Sequence, residues 1–205
     1  MNRATLTRCA HLLAIACVMW AMAARAAEPQ VFRTFMPEAG PSAFGVVLGP
    51  RLALSYDYLR GGVNQMWHGA LDLTPTLRAK INQPARIAGV VFYSEKLRQP
   101  LRVNDPDRVP ERRFKGYRYE KEAIVFDYTL DGVEIHETLR TIDNGRGLER
   151  VWSVGEGVTL FFHAEVQPDA RVAFLGGEAT KPGVWRHTGD AGKTFTMRIQ
   201  PKSKP

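Results

Sequence analysis

Along most of the chain, large apolar residues recur at every second position, the period of a strand with one buried face. Residues 124–130 place Ile124, Phe126, Tyr128 and Leu130 on one face and Val125, Asp127 and Thr129 on the other. Asp131-Gly132 follows, a pair that suits a type I′ turn because both central residues there need positive φ. Residues 133–142 return with Val133, Ile135 and Leu139 on one face, so the stretch predicts a β-hairpin. Residues 148–154 and 158–166 predict a second hairpin around Gly155-Glu156-Gly157, with Val158, Leu160, Phe162, Ala164 and Val166 sharing a face. Residues 44–48 and 52–59 flank Gly49-Pro50, another turn pair. Further strands are expected at 87–93, 114–119, 171–175, 184–187 and 194–199. Helical periodicity is nearly absent, apart from a turn or two within 73–81 after Thr74-Pro75. Residues 98–113 hold three prolines and many charges and read as one long exposed loop. Short strands at roughly 8–12-residue spacing predict an all-β fold. The expected architecture is an antiparallel β-sandwich, jelly-roll or mutarotase-like, with few or no long helices.

The first 26 residues depart from this pattern. Arg3 and Arg8 precede an uncharged apolar run over 12–24, and Ala24-Arg25-Ala26 supplies an A-x-A cleavage signal. Residues 1–26 are therefore read as a signal peptide, and 27–200 as a single sandwich domain. Residues 201–205, polar and proline-flanked, are read as a flexible tail. The apolar run is short for a permanent span, so no transmembrane segment is expected in the mature chain. Cys17 is the alternative focus of the leader, as the lipid-bearing cysteine of a lipoprotein signal, though Ala14-Ile15-Ala16 matches that signal only loosely. A periplasmic or secreted location follows.

Composition matters mainly through this leader. The full chain of 205 residues carries 28 Lys+Arg and 21 Asp+Glu. Removing 1–26 takes away Arg3, Arg8 and Arg25 and no acid, leaving 25 basic against 21 acidic residues, a net charge of +4. The excess is mild and scattered, which argues against nucleic acid as a partner. Both cysteines, Cys9 and Cys17, lie in the leader. The mature chain thus has no disulfide, thiol nucleophile or C-x-x-C-H haem attachment site. Phosphate-binding glycine motifs and a G-x-S-x-G elbow are also missing. The sequence implies no cofactor.

Several segments carry a resemblance as a set: Arg33-Thr34-Phe35-Met36-Pro37-Glu38-Ala39-Gly40-Pro41, Leu54-Ser55-Tyr56-Asp57, Trp67-His68-Gly69-Ala70-Leu71-Asp72, Phe114-Lys115-Gly116-Tyr117-Arg118, and residues 126–135. Over roughly residues 31–140 the chain resembles an uncharacterised exported bacterial β-rich domain. That domain occurs beside c-type haem domains and sorbosone-dehydrogenase-like quinoproteins. The resemblance implies an exported accessory module near periplasmic redox or sugar metabolism. It implies no catalytic residues. This chain carries neither a haem motif nor a propeller of its own, so any redox partner would be a separate protein.

Candidate chemistry concentrates in residues 60–72. Asn64, Trp67, His68 and Asp72 stand there among glycines, a mixture that suits a polyol: the ring stacks on C–H bonds while amide, imidazole and carboxylate meet hydroxyls. The same residues also fit a strand–turn with Trp67 as a core anchor. Tyr56, Asp57, Tyr58, Tyr93, Tyr117, Arg118 and Tyr119 offer rings for a carbohydrate platform or half-buried strand packing. Glu134 with His136, and His163 with Glu165, share strand faces, as an acid–base or metal pair would, or as a solvated outer face would; no metal site is assigned. Glu137 falls on the core face of its strand. There it needs a partner, such as Arg118 or Arg150, or a bulge that turns it out.

Two functional classes follow. One is a binding or accessory module for a sugar-like ligand or a periplasmic partner protein, redox or otherwise. The other is a sandwich-type epimerase or lyase, which would bring His68, His136 or His163 to Glu137 or Asp72 in one cleft. A structural envelope protein is a third possibility.

Overall fold

The structure, a computed structural model, describes residues 28–78, 83–190 and 194–202. The expected signal peptide, 1–26, and residues 203–205 of the expected tail lie outside the described residues. Among the described residues, fifteen strands and one short helix follow each other: β1 (Gln30–Arg33), β2 (Ala43–Val47), β3 (Leu52–Asp57), β4 (Gly62–Asp72), α1 (Thr74–Arg78), β5 (Arg86–Ser94), β6 (Leu101–Val103), β7 (Arg112–Glu120), β8 (Ala123–Leu130), β9 (Val133–Ile142), β10 (Gly147–Ser153), β11 (Thr159–His163), β12 (Ala170–Leu175), β13 (Glu178–Lys181), β14 (Val184–Thr188) and β15 (Phe195–Pro201). The fold is all-β. No helix among the described residues is long and apolar enough to cross a membrane.

The strands form three antiparallel sheets. The first runs β1-β2-β3-β4-β5, the second β12-β15-β10-β9-β8-β7, and the third β13-β14-β11-β6. Cross-strand register explains how they stack. Phe126, Glu137, Trp152 and Phe195 pair in one row across the second sheet, and Ile124, Leu139, Arg150, Met197 and Phe174 in the next. Directly paired residues project to the same side, so both rows face inward. Tyr56 of the first sheet stacks on Phe126 at 3.8 Å between centroids. Phe162 of the third sheet packs on Trp152 and Phe174, and Trp185 on Phe174. The first and third sheets therefore share one layer, laid side by side over the second. One apolar core joins all three.

The Asp131-Gly132 hairpin forms as expected, with φ of 49° and 82° at the two turn residues. The turn at Gly49-Pro50 joins β2 to β3. Other expectations change. Gly155-Glu156-Gly157 does not close a hairpin: β10 is flanked by β9 and β15, while β11 pairs with β6 and β14 in another sheet. Val166, expected on the buried face of that strand, is 95% exposed because β11 ends at His163. The stretch 98–113 is not one exposed loop, since β6 within it is buried and forms an edge strand of the third sheet beside β11. Pro201 closes β15 opposite Ala170, and the Lys202 amide donates to the Asp169 carbonyl at 2.8 Å, so the last strand reaches into the expected tail.

Candidate functional site

Where the first and third sheets meet above the second, the core holds charges. Glu137 and Arg150 are 0% and 1% exposed. The Arg150 Nε and Nη2 lie 2.8 Å from Glu137 Oε1. Glu137 Oε2 accepts from the Tyr56 hydroxyl at 2.9 Å and the Tyr128 hydroxyl at 3.1 Å. Arg112 Nη2 donates to the Tyr56 oxygen at 2.9 Å, and its guanidinium sits 3.5 Å over the Tyr128 ring. On the other side Arg150 Nη1 is 3.8 Å from Glu95 Oε2, which also accepts from the Tyr93 hydroxyl at 2.8 Å. Arg150 lies over the Trp152 ring at 4.8 Å. The backbone of β4 makes room for it: a Cβ on Gly62 would sit 2.6 Å from Arg150 Nη2.

The electrostatics follow from this packing. Burial pushes the Glu95 carboxyl up to about 7, against the pull of Arg150 and the Tyr93 hydrogen bond. Burial, then the Glu137 charge, raises the Tyr56 and Tyr128 hydroxyls, so both act as donors. Burial opposes the Arg150 charge, but Glu137, Tyr93 and Glu95 outweigh it and hold the guanidinium protonated. Glu137 receives four donors on two oxygens and has no face left for a reactant. The cluster is a cross-brace between sheets. Glu137 faces the core as its strand position predicts, and of the two expected partners it takes Arg150.

The other predicted residues disperse. Trp67 is fully buried in a small second core on the outer face of the first sheet, with Met36, Ala43 and Ala53, and its Nε1 donates to the Ala70 carbonyl at 3.0 Å. It is a packing anchor and cannot stack on a sugar. Asn64 is buried and Asp57 fully so; Asp57 accepts from the Ser42 hydroxyl at 2.8 Å and from the Leu59 and Arg60 amides at 3.0 Å, capping the turn after β3. Tyr56 and Tyr93 point into the core and cannot serve a platform. Asp72 pairs with Arg86 at 2.7 Å, and its hydrogen bonds from Thr74 hold its carboxyl below the usual range. His68 lies on Phe92 and bonds the Arg146 carbonyl. Residues 60–72 build no sugar pocket around Trp67: β4 is one bulged strand whose side chains go to opposite faces, and the reading of Trp67 as a core anchor holds.

The His/Glu pairs do not meet. His136 bonds Asp127 on the open face of the second sheet at 2.5 Å, beside Arg118, while Glu134 pairs with Lys115. His163 Nε2 donates to the Pro106 carbonyl at 2.8 Å, and burial lowers its imidazole below the usual value. Glu165 caps the Lys96 and Leu97 amides at 2.6 and 2.9 Å. Among the described residues, no group of three His, Cys, Asp or Glu is placed to hold a metal.

Part of the expected aromatic set does converge, with Phe44 and Phe114, at the open flank where β1 and β7 end their sheets. Tyr58 stacks on Phe114 at 4.8 Å, and Phe44 touches Tyr58, Phe114 and Tyr117 at 5.5 to 5.7 Å. Tyr117 meets Tyr119 edge-on at 5.8 Å and 89°. The Val31 amide donates to the Tyr119 hydroxyl at 3.2 Å, tying the two sheet edges together. Tyr117 and Tyr119 are 39% and 53% exposed. Arg33, paired with Phe44 across the first sheet, is exposed. Sequence reasoning grouped Tyr58, Tyr117 and Tyr119 as possible platform rings but left out Phe44 and Phe114, because the cluster joins segments about 60 to 90 positions apart. It also missed Glu95, although its i+2 spacing from Tyr93 is the same signal that marked Glu137. Comparison of the chain with protein-family models, with curated proteins and with solved structures finds no match in any of the three.

Proposed function

We propose that this chain is an exported, non-catalytic binding module, and that the aromatic flank formed by Tyr58, Phe114, Tyr117 and Tyr119 is its recognition surface for a sugar-like ligand. The observation that carries the reading is the pair Tyr117 and Tyr119. Two half-exposed phenols are locked at right angles by packing, and rigid amphipathic rings with little entropy to lose suit the C–H faces and hydroxyls of a sugar. The leader pattern in the sequence, and the resemblance to exported accessory domains, support export. The epimerase or lyase reading draws least support, because none of His68, His136 and His163 lies with Glu137 or Asp72, and Glu137 is saturated.

Residues 27–205 titrated with neutral oligosaccharides, followed by aromatic ring signals in NMR, test the proposal. Saturable shifts of the Tyr117, Tyr119, Tyr58 and Phe114 ring signals are the expected result, with those of Tyr58 and Phe114 abolished in Tyr117→Ala/Tyr119→Ala while the far-UV circular dichroism of the fold is retained. No saturable shift with any oligosaccharide would remove the sugar reading and leave a periplasmic protein as the occupant of the same flank.

A further inference from the structure

A second concave site lies at the turn end of the sandwich. Pro50, Arg51, His68, Gly69 and Arg146 line an open basin of about 450 Å³. Three separate elements bring them there: the β2–β3 turn carries Arg51, β4 carries His68, and the β9–β10 turn carries Arg146. The basin therefore bridges the first and second sheets.

The basin is built around His68. Its Nε2 lies 2.7 Å from the Arg146 carbonyl oxygen, which can only accept, so Nε2 carries the hydrogen. The neutral ring then keeps its lone pair on Nδ1. Phe92 backs the ring at 4.6 Å between centroids. The imidazole is thus fixed in position and tautomer, with one acceptor to spare. Neither guanidinium is neutralised among the described residues. Arg146 makes one long bond, to the Asp143 carbonyl at 3.4 Å, and Arg51 forms no ion pair. No carboxylate lines the basin. Elsewhere on this surface several arginines are spent on acids: Arg86 on Asp72, Arg118 on Asp127, Arg140 and Arg198 on Glu149. Arg33, Arg98 and Arg171 also form no ion pair among the described residues; Arg51 and Arg146 differ from them in flanking an oriented imidazole in one basin.

We infer that this basin binds a hydroxylated carboxylate of the acidic-sugar class. The carboxylate would lie between Arg51 and Arg146, whose planar forks match it, and a neighbouring hydroxyl would donate to His68 Nδ1. The site is separate from the aromatic flank and does not depend on that surface binding anything.

The test is an NMR titration of the folded domain, residues 27–205, with glucuronate, following the carbon-bound proton signals of the His68 ring. The expected result is a saturable shift with glucuronate and none with glucose. Arg51→Gln and Arg146→Gln should each weaken glucuronate about tenfold, since each removes one charge-assisted contact. Both side chains lack ion pairs, so the melting temperature should stay within a degree or so of the parent. The Arg146 substitution leaves the carbonyl that orients His68 in place. A shift with glucose equal to that with glucuronate would overturn the carboxylate assignment. Absence of a saturable glucuronate shift, or one untouched by both substitutions, would overturn the site.

Discussion

Consider Glu137→Gln. The carboxylate offers two acceptor oxygens to four donors: Arg150 Nε and Nη2, and the hydroxyls of Tyr56 and Tyr128. A glutamine of the same shape offers one acceptor oxygen and brings two donors of its own. Whichever way the amide faces, one pair of donors meets an NH₂ group. The Arg150 charge also loses its nearest counter-ion while 1% exposed, leaving Glu95 at 3.8 Å as the remaining carboxylate. Breaking such a buried pair costs about 3–5 kcal/mol. Against a total of roughly 5–15 kcal/mol for a domain, that is a large share. It corresponds to a fall of roughly 6–20 °C in Tm at this chain length. Adding Arg150→Met removes the two guanidinium donors, so the double variant should cost less than the sum of its parts by at least about 1.5 kcal/mol. Urea unfolding of the four proteins, followed by far-UV circular dichroism, measures the cycle. A single-variant cost below about 1 kcal/mol, or strict additivity, would refute the brace.

Gly62→Ala should destabilise by about 2–3 kcal/mol, because φ is +135° and the new Cβ would press on Arg150 Nη2 at 2.6 Å; thermal unfolding checks it. Trp67→Ala should cost about 3–5 kcal/mol by opening the second core, and should leave the oligosaccharide titration of the aromatic flank unchanged. For Glu95 the folded carboxyl titrates near 7, above its ordinary 4.5. The folded state therefore holds a proton that the unfolded chain releases. Its contribution is complete below about pH 4.5, falls as pH rises toward 7, and is flat above, on the order of 3 kcal/mol in all. Glu95→Gln should flatten the stability profile between pH 5 and 7, and an unchanged slope in urea unfolding would contradict the assignment.

Local order was legible and partner choice was not. Alternation at 124–142 with Asp131-Gly132 between the strands specifies β8 and β9 completely, because period and turn chemistry are both local. The inward Glu137 could be read from the same period. Gly155-Glu156-Gly157 shows the limit. Glycines mark a reversal, but the partner of a strand depends on which edges are free, and both edges of β10 are taken by β9 and by β15, about fifty residues on. β6 was hidden for the same reason: three residues among prolines become a strand only when β11 arrives beside them. Trp67 could be read as a sugar-stacking ring or a core anchor, and the sequence did not decide between them because residues 34–43 cover the outer face of the first sheet, and a covering loop leaves no period in the strand it covers. The aromatic flank lay in plain view as tyrosines, yet only the meeting of two sheet edges separates Tyr117 and Tyr119 from Tyr56 and Tyr93.

The brace also bears on what the chain avoids. If β9 slid by one residue against its neighbours, every side chain on it would change sides. His136 and Thr138 would enter the core, Glu137 would face water, and Arg150 would remain indoors with a single, more distant carboxylate. An apolar strand making the same error would lose some buried area and could linger as a competitor. Here the error strands a cation, so the wrong pairing is raised in energy even where the right one gains little from its charges. The buried pair acts as a proofreader of assembly, widening the gap between the native arrangement and its closest imitators.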